Sequence, residues 1–125
     1  MARKLLGIGI DLVSRSRIER FLASHSRKFL NRLLTPAEQI LFRKSSNAVE
    51  FFARSFAAKE AYFKARGGIA LREADFFGIE IRMEDQSRFS AADAGIPLPP
   101  CVEGEFFESP DGVGAKVIAW EGKKF

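Results

Sequence analysis

A chain of 125 residues with 46% hydrophobic and 29% charged residues is ordinary for one compact domain over residues 1–125, long enough to fold around a core without a disulfide or structural metal. Its single cysteine, Cys101, excludes an intrachain disulfide and a zinc site built from several thiolates, and it fits a reducing, cytoplasmic setting. Twenty Lys and Arg against sixteen Asp and Glu leave a net charge of +4, which favours an acidic partner: a nucleic acid, a phosphorylated cofactor or an acidic protein.

The opening MARKLLGIGIDLV is apolar but interrupted by Asp11 and lacks a small-residue cleavage site, so neither a signal peptide nor a membrane span is expected. Leu5 to Val13 alternates as a strand, with Leu6, Ile8 and Ile10 on one face and Gly7, Gly9 and Asp11 on the other. Two glycines beside a carboxylate leave room for another backbone or a ligand to approach. Gly7-Ile8-Gly9 lacks the third glycine and the helix start of a dinucleotide-binding turn, and reads as strand packing.

From Arg15 to Leu34 the residues Ile18, Leu22, His25, Phe29 and Leu33 recur at helical spacing and predict one helix with a core-facing stripe. Arg17, Arg20, Arg27 and Lys28 fall on the opposite side, where they suit a solvated face or an acidic partner, and His25 is expected at the core edge. Thr35-Pro36-Ala37-Glu38 combines a capping hydroxyl, a proline at the first helical position and a carboxylate three residues after the cap, predicting a helix from Pro36 to about Lys44. Ser45-Ser46-Asn47 supplies a break and a new cap, and a third helix follows from Ala48 to about Arg66, closed by Gly67-Gly68 as a left-handed cap. After a connector from Leu71 to Phe77, Gly78 to Met83 alternates as a strand and Ser90 to Pro100 reads as loop. Val102 to Glu108 and Val113 to Trp120 form a hairpin around Ser109-Pro110-Asp111-Gly112. The order of strand, three helices and further strands implies an α+β domain, with no repeat or interdomain linker.

The third helix carries an oddity. Phe52, Phe56 and Phe63 share one stripe, and Glu60 interrupts it. A carboxylate in an apolar row must reach solvent, pair with a cation or bind a metal. Lys64, one turn later, is the plain partner. Asp11 is a second carboxylate that breaks its element's pattern, and two such groups, completed by water and phosphate oxygens, suit Mg²⁺. Lys59, Lys64 and the Gly67-Gly68 turn would add positive charge and backbone donors for a phosphate. One histidine and one cysteine supply too few ligands for a zinc hydrolase or a Cys-His nucleophile site, unless His25 and Cys101 meet.

Two blocks then point further. Gly7-Ile8-Gly9-Ile10-Asp11-Leu12-Val13 followed by Arg17-Ile18, and Phe56-Ala57-Ala58-Lys59-Glu60-Ala61-Tyr62-Phe63-Lys64-Ala65, stand in order with Leu34-Thr35-Pro36-Ala37-Glu38 between them. Over roughly residues 5–83 the chain resembles the short, holo-acyl-carrier-protein synthase group of the 4′-phosphopantetheinyl transferase superfamily. The resemblance implies that family's fold, with an N-terminal strand, three helices and antiparallel strands ending in a hairpin. It also implies Mg²⁺-dependent transfer of 4′-phosphopantetheine from coenzyme A to a serine of apo acyl carrier protein, releasing adenosine 3′,5′-bisphosphate. On this reading Asp11 and Glu60 bind the metal, and Lys59 joins them as a catalytic residue. Lys59 and Lys64, with Gly67 and Gly68, meet the coenzyme A phosphates. Arg17 engages the acidic carrier protein, with Arg20, Arg27 and Lys28 extending the basic surface. Members of the group form homotrimers with active sites between subunits, and neither nucleic acid nor membrane is an expected partner.

The chain departs from the family pattern in places. Ser55 stands where the family has an arginine, the turn after the second block is the shorter Arg66-Gly67-Gly68-Ile69, and Ser90 to Pro100 replaces a G-K-P turn. Near the C-terminus, Glu105-Phe106-Phe107-Glu108-Ser109-Pro110 replaces a strand ending in S-[IL]-[ST]-H. The alternatives are therefore a member that keeps the fold and binds coenzyme A or an acidic carrier protein without reaction, and a basic nucleic-acid-binding module using the first helix.

Overall fold

The computed structural model describes residues 4–67, 73–95 and 99–122. Strand β1 (Leu5–Ser14) leads into helices α1 (Arg15–Ser24) and α2 (Arg27–Leu30), a 3-10 turn (Asn31–Leu33), α3 (Pro36–Lys44), the long α4 (Ala48–Ala65) and the short α5 (Glu73–Gly78). Strands β2 (Ile79–Met83), β3 (Arg88–Asp93), β4 (Cys101–Ser109) and β5 (Gly112–Trp120) complete an antiparallel sheet of order β1-β5-β4-β3-β2.

Helix α4 lies across the β1–β5 half of this sheet because both surfaces are made small. Ala53, Ala57, Ala58, Ala61 and Ala65 on the helix meet Val113, Ala115, Val117 and Ala119 on β5, all of them buried. On β1 the approach is closer still. A Cβ on Gly7 would sit 2.0 Å from the Ala65 carbonyl oxygen, and one on Gly9 would sit 1.9 Å from that of Ala61. The space the glycines open is thus filled by the backbone of α4. Register places Gly9 opposite Val117 and Asp11 opposite Ala115, so Asp11 shares the helix-covered face. The other face of β1 is bare: Leu6, Ile8, Ile10 and Leu12 are 47–62% exposed.

The helix boundaries predicted for α3 and α4 match the structure. Thr35 Oγ1 accepts from Glu38 N while Glu38 Oε1 accepts from Thr35 N, a reciprocal cap, and the Asn47 side chain accepts from Glu50 N. Gly67, just past α4, has φ +92°, a backbone conformation suited to glycine. Gly68 lies outside the described residues.

Three expectations differ. The single helix over Arg15–Leu34 is broken at His25, which is extended, and Ser26 caps a new helix by accepting from Phe29 N. Serines on either side of His25 offer side-chain hydrogen bonds that compete with the helix ladder, and hydrophobic spacing does not register them. His25 itself is exposed, its ring 4.1 Å from that of Phe21 and 4.8 Å from that of Phe29, with Nδ1 2.8 Å from Phe21 O. Part of the Leu71–Phe77 connector is the helix α5. Part of the Ser90–Pro100 loop is strand β3, whose residues pair with β2 from Ile79↔Asp93 to Met83↔Phe89. The Ser-Ala-Ala-Asp segment has weak strand propensity, and pairing decides its conformation.

Candidate active site

A cleft of about 370 Å³ opens where the end of β1, the start of α1 and the middle of α4 meet, and Asp11, Ser14, Arg17, Phe21, Phe56 and Glu60 are among the residues lining it. The two carboxylates that break their elements' apolar patterns, forty-nine positions apart, are therefore brought to one cavity, and Arg17 stands at the same rim. Asp11 arrives by strand alternation, which turns it with Gly7 and Gly9 toward α4. Glu60 arrives because Ala57, Ala58 and Ala61 face the protein interior and leave its side of the helix toward the cleft.

The electrostatics of the pair are unequal. Lys64 Nζ lies 3.0 Å from Asp11 Oδ1 and 3.2 Å from Ile10 O. The ammonium expected to serve Glu60 thus spans to the strand, because Asp11 sits across the helix–strand gap within its reach. Glu60 accepts no hydrogen bond among the described residues, and its carboxyl is pushed above the usual carboxylate range by burial first and by the Asp11 charge second, against a lowering by Lys64. A cation between two carboxylates would relieve that repulsion, so this donor set fits Mg²⁺, which takes one or two protein carboxylates and fills its octahedron with water and phosphate oxygens. No cluster of three or more His, Cys, Asp or Glu suited to a metal occurs among the described residues.

Lys59 goes elsewhere. Its ammonium is buried at 0% exposure and donates to Glu38 Oε1 at 2.6 Å, Phe76 O at 2.7 Å and Leu33 O at 2.9 Å. Burial holds its pKa below the usual lysine value, opposed by the Glu38 charge. In this geometry Lys59 is directed to the core and away from the cleft, in contrast to the role as catalytic and phosphate-binding residue that the resemblance assigns. A lysine at that position is indistinguishable in sequence from one facing solvent, and only Glu38 inside the capping motif carries a signal for its partner.

Arg17, Arg20, Arg27 and Lys28 are all exposed, but the break at His25 divides them, with Arg17 and Arg20 on α1 and Arg27 and Lys28 on α2. Arg15, which sequence reasoning passed over, ties three elements together: Nε and Nη2 meet Glu50 at 2.6 and 3.2 Å, Nη2 meets Glu108 at 2.7 Å, and Nη1 donates to Gly112 O at 3.1 Å. Glu108, in the stretch that replaces the family's histidine-bearing motif, is thereby turned to Arg15 at the β4–β5 hairpin. Ser55, which replaces the family's arginine, is buried with its hydroxyl unpartnered among the described residues, while Arg54 reaches Glu50 Oε1 at 3.1 Å and Gln86 O at 2.7 Å. No described helix is long and apolar enough to cross a membrane.

Comparison with known proteins agrees with this geometry. Residues 7–116 match the family model described as 4′-phosphopantetheinyl transferase superfamily. A holo-[acyl-carrier-protein] synthase of Bacillus cereus (strain AH187) is 41% identical over 86 residues, covering 67% of this chain and 71% of that protein. Among solved structures, a holo-(acyl-carrier-protein) synthase from Bacillus anthracis str. Ames in complex with CoA (3′,5′-ADP) superposes with TM-score 0.77 at 33% identity, covering 97% of this chain and 100% of that one. The Helicobacter pylori holo-[acyl-carrier-protein] synthase in complex with coenzyme A gives TM-score 0.68 at 28% identity, over 90% and 98% of the two chains. With a paired-carboxylate cleft, a matching sheet and a family model spanning most of its length, this chain belongs to the 4′-phosphopantetheinyl transferase superfamily, within its holo-acyl-carrier-protein synthase group.

Proposed function

We propose that this chain transfers 4′-phosphopantetheine from coenzyme A to a serine of apo acyl carrier protein at the Asp11–Glu60 cleft. The observation that carries the reading is the convergence of those two carboxylates on one cavity, with Glu60 raised in pKa and taking no hydrogen bond among the described residues. Asp11 and Glu60 would hold Mg²⁺, which supplies Lewis-acid polarisation of the attacked phosphorus and neutralises charge on the departing bisphosphate.

The chain's own groups do the rest. Lys64, half exposed and already at the carboxylates, presents its ammonium to the coenzyme A phosphates. Gly67, with its positive φ and open space around it, lets backbone approach the same phosphates closely. Arg17 at the rim meets acidic residues of the carrier protein and brings its serine to the cleft, with Arg20, Arg27 and Lys28 extending the field that steers encounter. The serine oxygen forms a bond to phosphorus as the phosphorus–oxygen bond to the adenosine bisphosphate breaks, and the serine proton passes to the Glu60 carboxylate.

The exposed apolar face of β1, with Leu6, Ile8, Ile10 and Leu12, together with the half-open Phe107, is a surface that a monomer would leave wet. We read it as the contact between subunits of a homotrimer, as the family resemblance implies.

The test is the intact mass of an apo acyl carrier protein incubated with the chain, coenzyme A and Mg²⁺, beside an EDTA control. A metal-dependent gain of one phosphopantetheine is expected, and Asp11→Ala or Glu60→Ala abolishes it while leaving the fold. No gain, where a known synthase modifies the same carrier protein, refutes the transferase. That outcome would favour the reading in which the chain binds coenzyme A or carrier protein without reaction, the reading that the histidine-free end of β4 supports.

A further inference from the structure

We propose that Lys59 is a positioning residue: its buried three-point anchor sets the rotation of α4 and thereby aims the neighbouring Glu60 at the metal cleft. This inference rests on the reading of Asp11 and Glu60 as metal ligands.

An ammonium carries three donors, and all three are used, on Glu38 Oε1, Phe76 O and Leu33 O at 2.6–2.9 Å. None remains for a phosphate. The acceptors come from different parts of the chain: Leu33 ends the 3-10 turn, Glu38 lies on α3 and Phe76 on α5. Glu38 is itself fixed, accepting from Thr35 N and from Ile81 N of β2, each at 2.8 Å. The anchor is therefore a junction of the elements that flank the cleft side of α4, with Phe56 lying between it and the cleft. Successive helical residues are separated by about 100° around the axis, so holding Lys59 at one azimuth fixes Glu60 at the next. Ala57, Ala58 and Ala61 pack the same helix at 0% exposure but are nearly featureless in shape, and the larger buried Phe52, Phe63 and Tyr62, whose hydroxyl donates to Asp93 Oδ2 at 2.8 Å, hold the helix at other positions than the one next to Glu60. The directional bonds of Lys59 supply what the alanines lack. On this account the adjacency of lysine and glutamate in the Phe56–Ala65 block is a mechanical coupling, and only the glutamate touches the reacting groups.

The experiment measures Mn²⁺ binding to the protein by electron paramagnetic resonance, beside the KM for coenzyme A at saturating metal. Lys59→Met, which keeps the length of the side chain and removes its donors, is expected to weaken Mn²⁺ binding by about tenfold while the KM for coenzyme A stays within about twofold, the pattern of a residue that orients a ligand. Glu38→Asp, which leaves the Lys59 ammonium present but draws back its main partner, shifts Mn²⁺ affinity in the same direction by a smaller factor. A rise in KM for coenzyme A with unchanged Mn²⁺ affinity overturns the proposal in favour of direct phosphate contact. Unchanged constants in both folded variants overturn it in favour of a purely stabilising pair. If Lys59→Met does not fold, Glu38→Asp decides alone, since unaltered Mn²⁺ affinity there refutes the coupling. Failure of the site reading itself shows separately, as unmodified protein whose Mn²⁺ binding is absent or indifferent to Asp11→Ala.

Discussion

The spacing between β1 and α4 is what puts Asp11 near Glu60, and Gly9→Ala perturbs that spacing directly. The added Cβ would lie 1.9 Å from Ala61 O and 2.7 Å from Ala65 N, backbone atoms of a helix that cannot swing aside as a side chain would. Contacts below 3.0 Å are essentially never seen for a Cβ, so strand and helix must part by about 1 Å. Overpacking of this kind costs about 1–3 kcal/mol of stability. The consequence for chemistry is larger, since a displacement of about 1 Å between groups that must act together lowers rate by about 100-fold, or about 2.7 kcal/mol in the barrier. Urea denaturation gives the first quantity and phosphopantetheine transfer per folded molecule the second. Gly78→Ala is the control, because no described residue lies within 4 Å of the added atom and stability should hold within about 0.5 kcal/mol. A Gly9→Ala protein with unmodified stability and transfer rate would refute the argument that this contact sets the carboxylate geometry.

Other consequences can be measured in the same system. Arg17→Glu is expected to raise the KM for carrier protein by about tenfold or more, through like-charge contact at the rim, while direct coenzyme A binding is unaffected; equal loss of both would point to misfolding. Hydrogen bonding and charge from Arg15 and Arg54 hold the Glu50 carboxyl below its usual value against the opposing effect of burial, so its stabilisation is present above the ordinary carboxylate range and is lost as pH falls through the depressed value. Glu50→Gln should therefore cost about 1 kcal/mol near neutral pH and flatten the acid side of the stability curve, and an unaltered curve would count against the clamp. For the homotrimer proposed above, Ile10→Lys places a charge on the 57% exposed residue at the middle of the bare β1 face and is expected to yield monomers in analytical ultracentrifugation, beside an unmodified protein that sediments as a trimer; a variant that stays trimeric would move the interface elsewhere.

Much of this molecule follows from local sequence. Thr35 to Glu38 and Asn47 mark helix starts because a capping side chain acts within three residues, and Gly67 marks an end because few other residues hold its φ. Strand alternation placed Asp11 on the glycine face, and helical spacing exposed Glu60 as a carboxylate in an apolar stripe; both are properties of neighbours along the chain. What tertiary structure decided is everything that depends on distance across elements. It determined that Lys64 reaches Asp11 at 3.0 Å, and that Lys59 turns inward to Glu38, twenty-one residues away. It paired Arg88–Asp93 into the sheet despite weak propensity, and left the more hydrophobic side of β1 outward while the glycine side faces the helix. Periodicity reports which residues share a face but not which face is covered. Here backbone proximity to α4 required glycine on the inner side, so the apolar residues were left for a surface that a single chain does not bury.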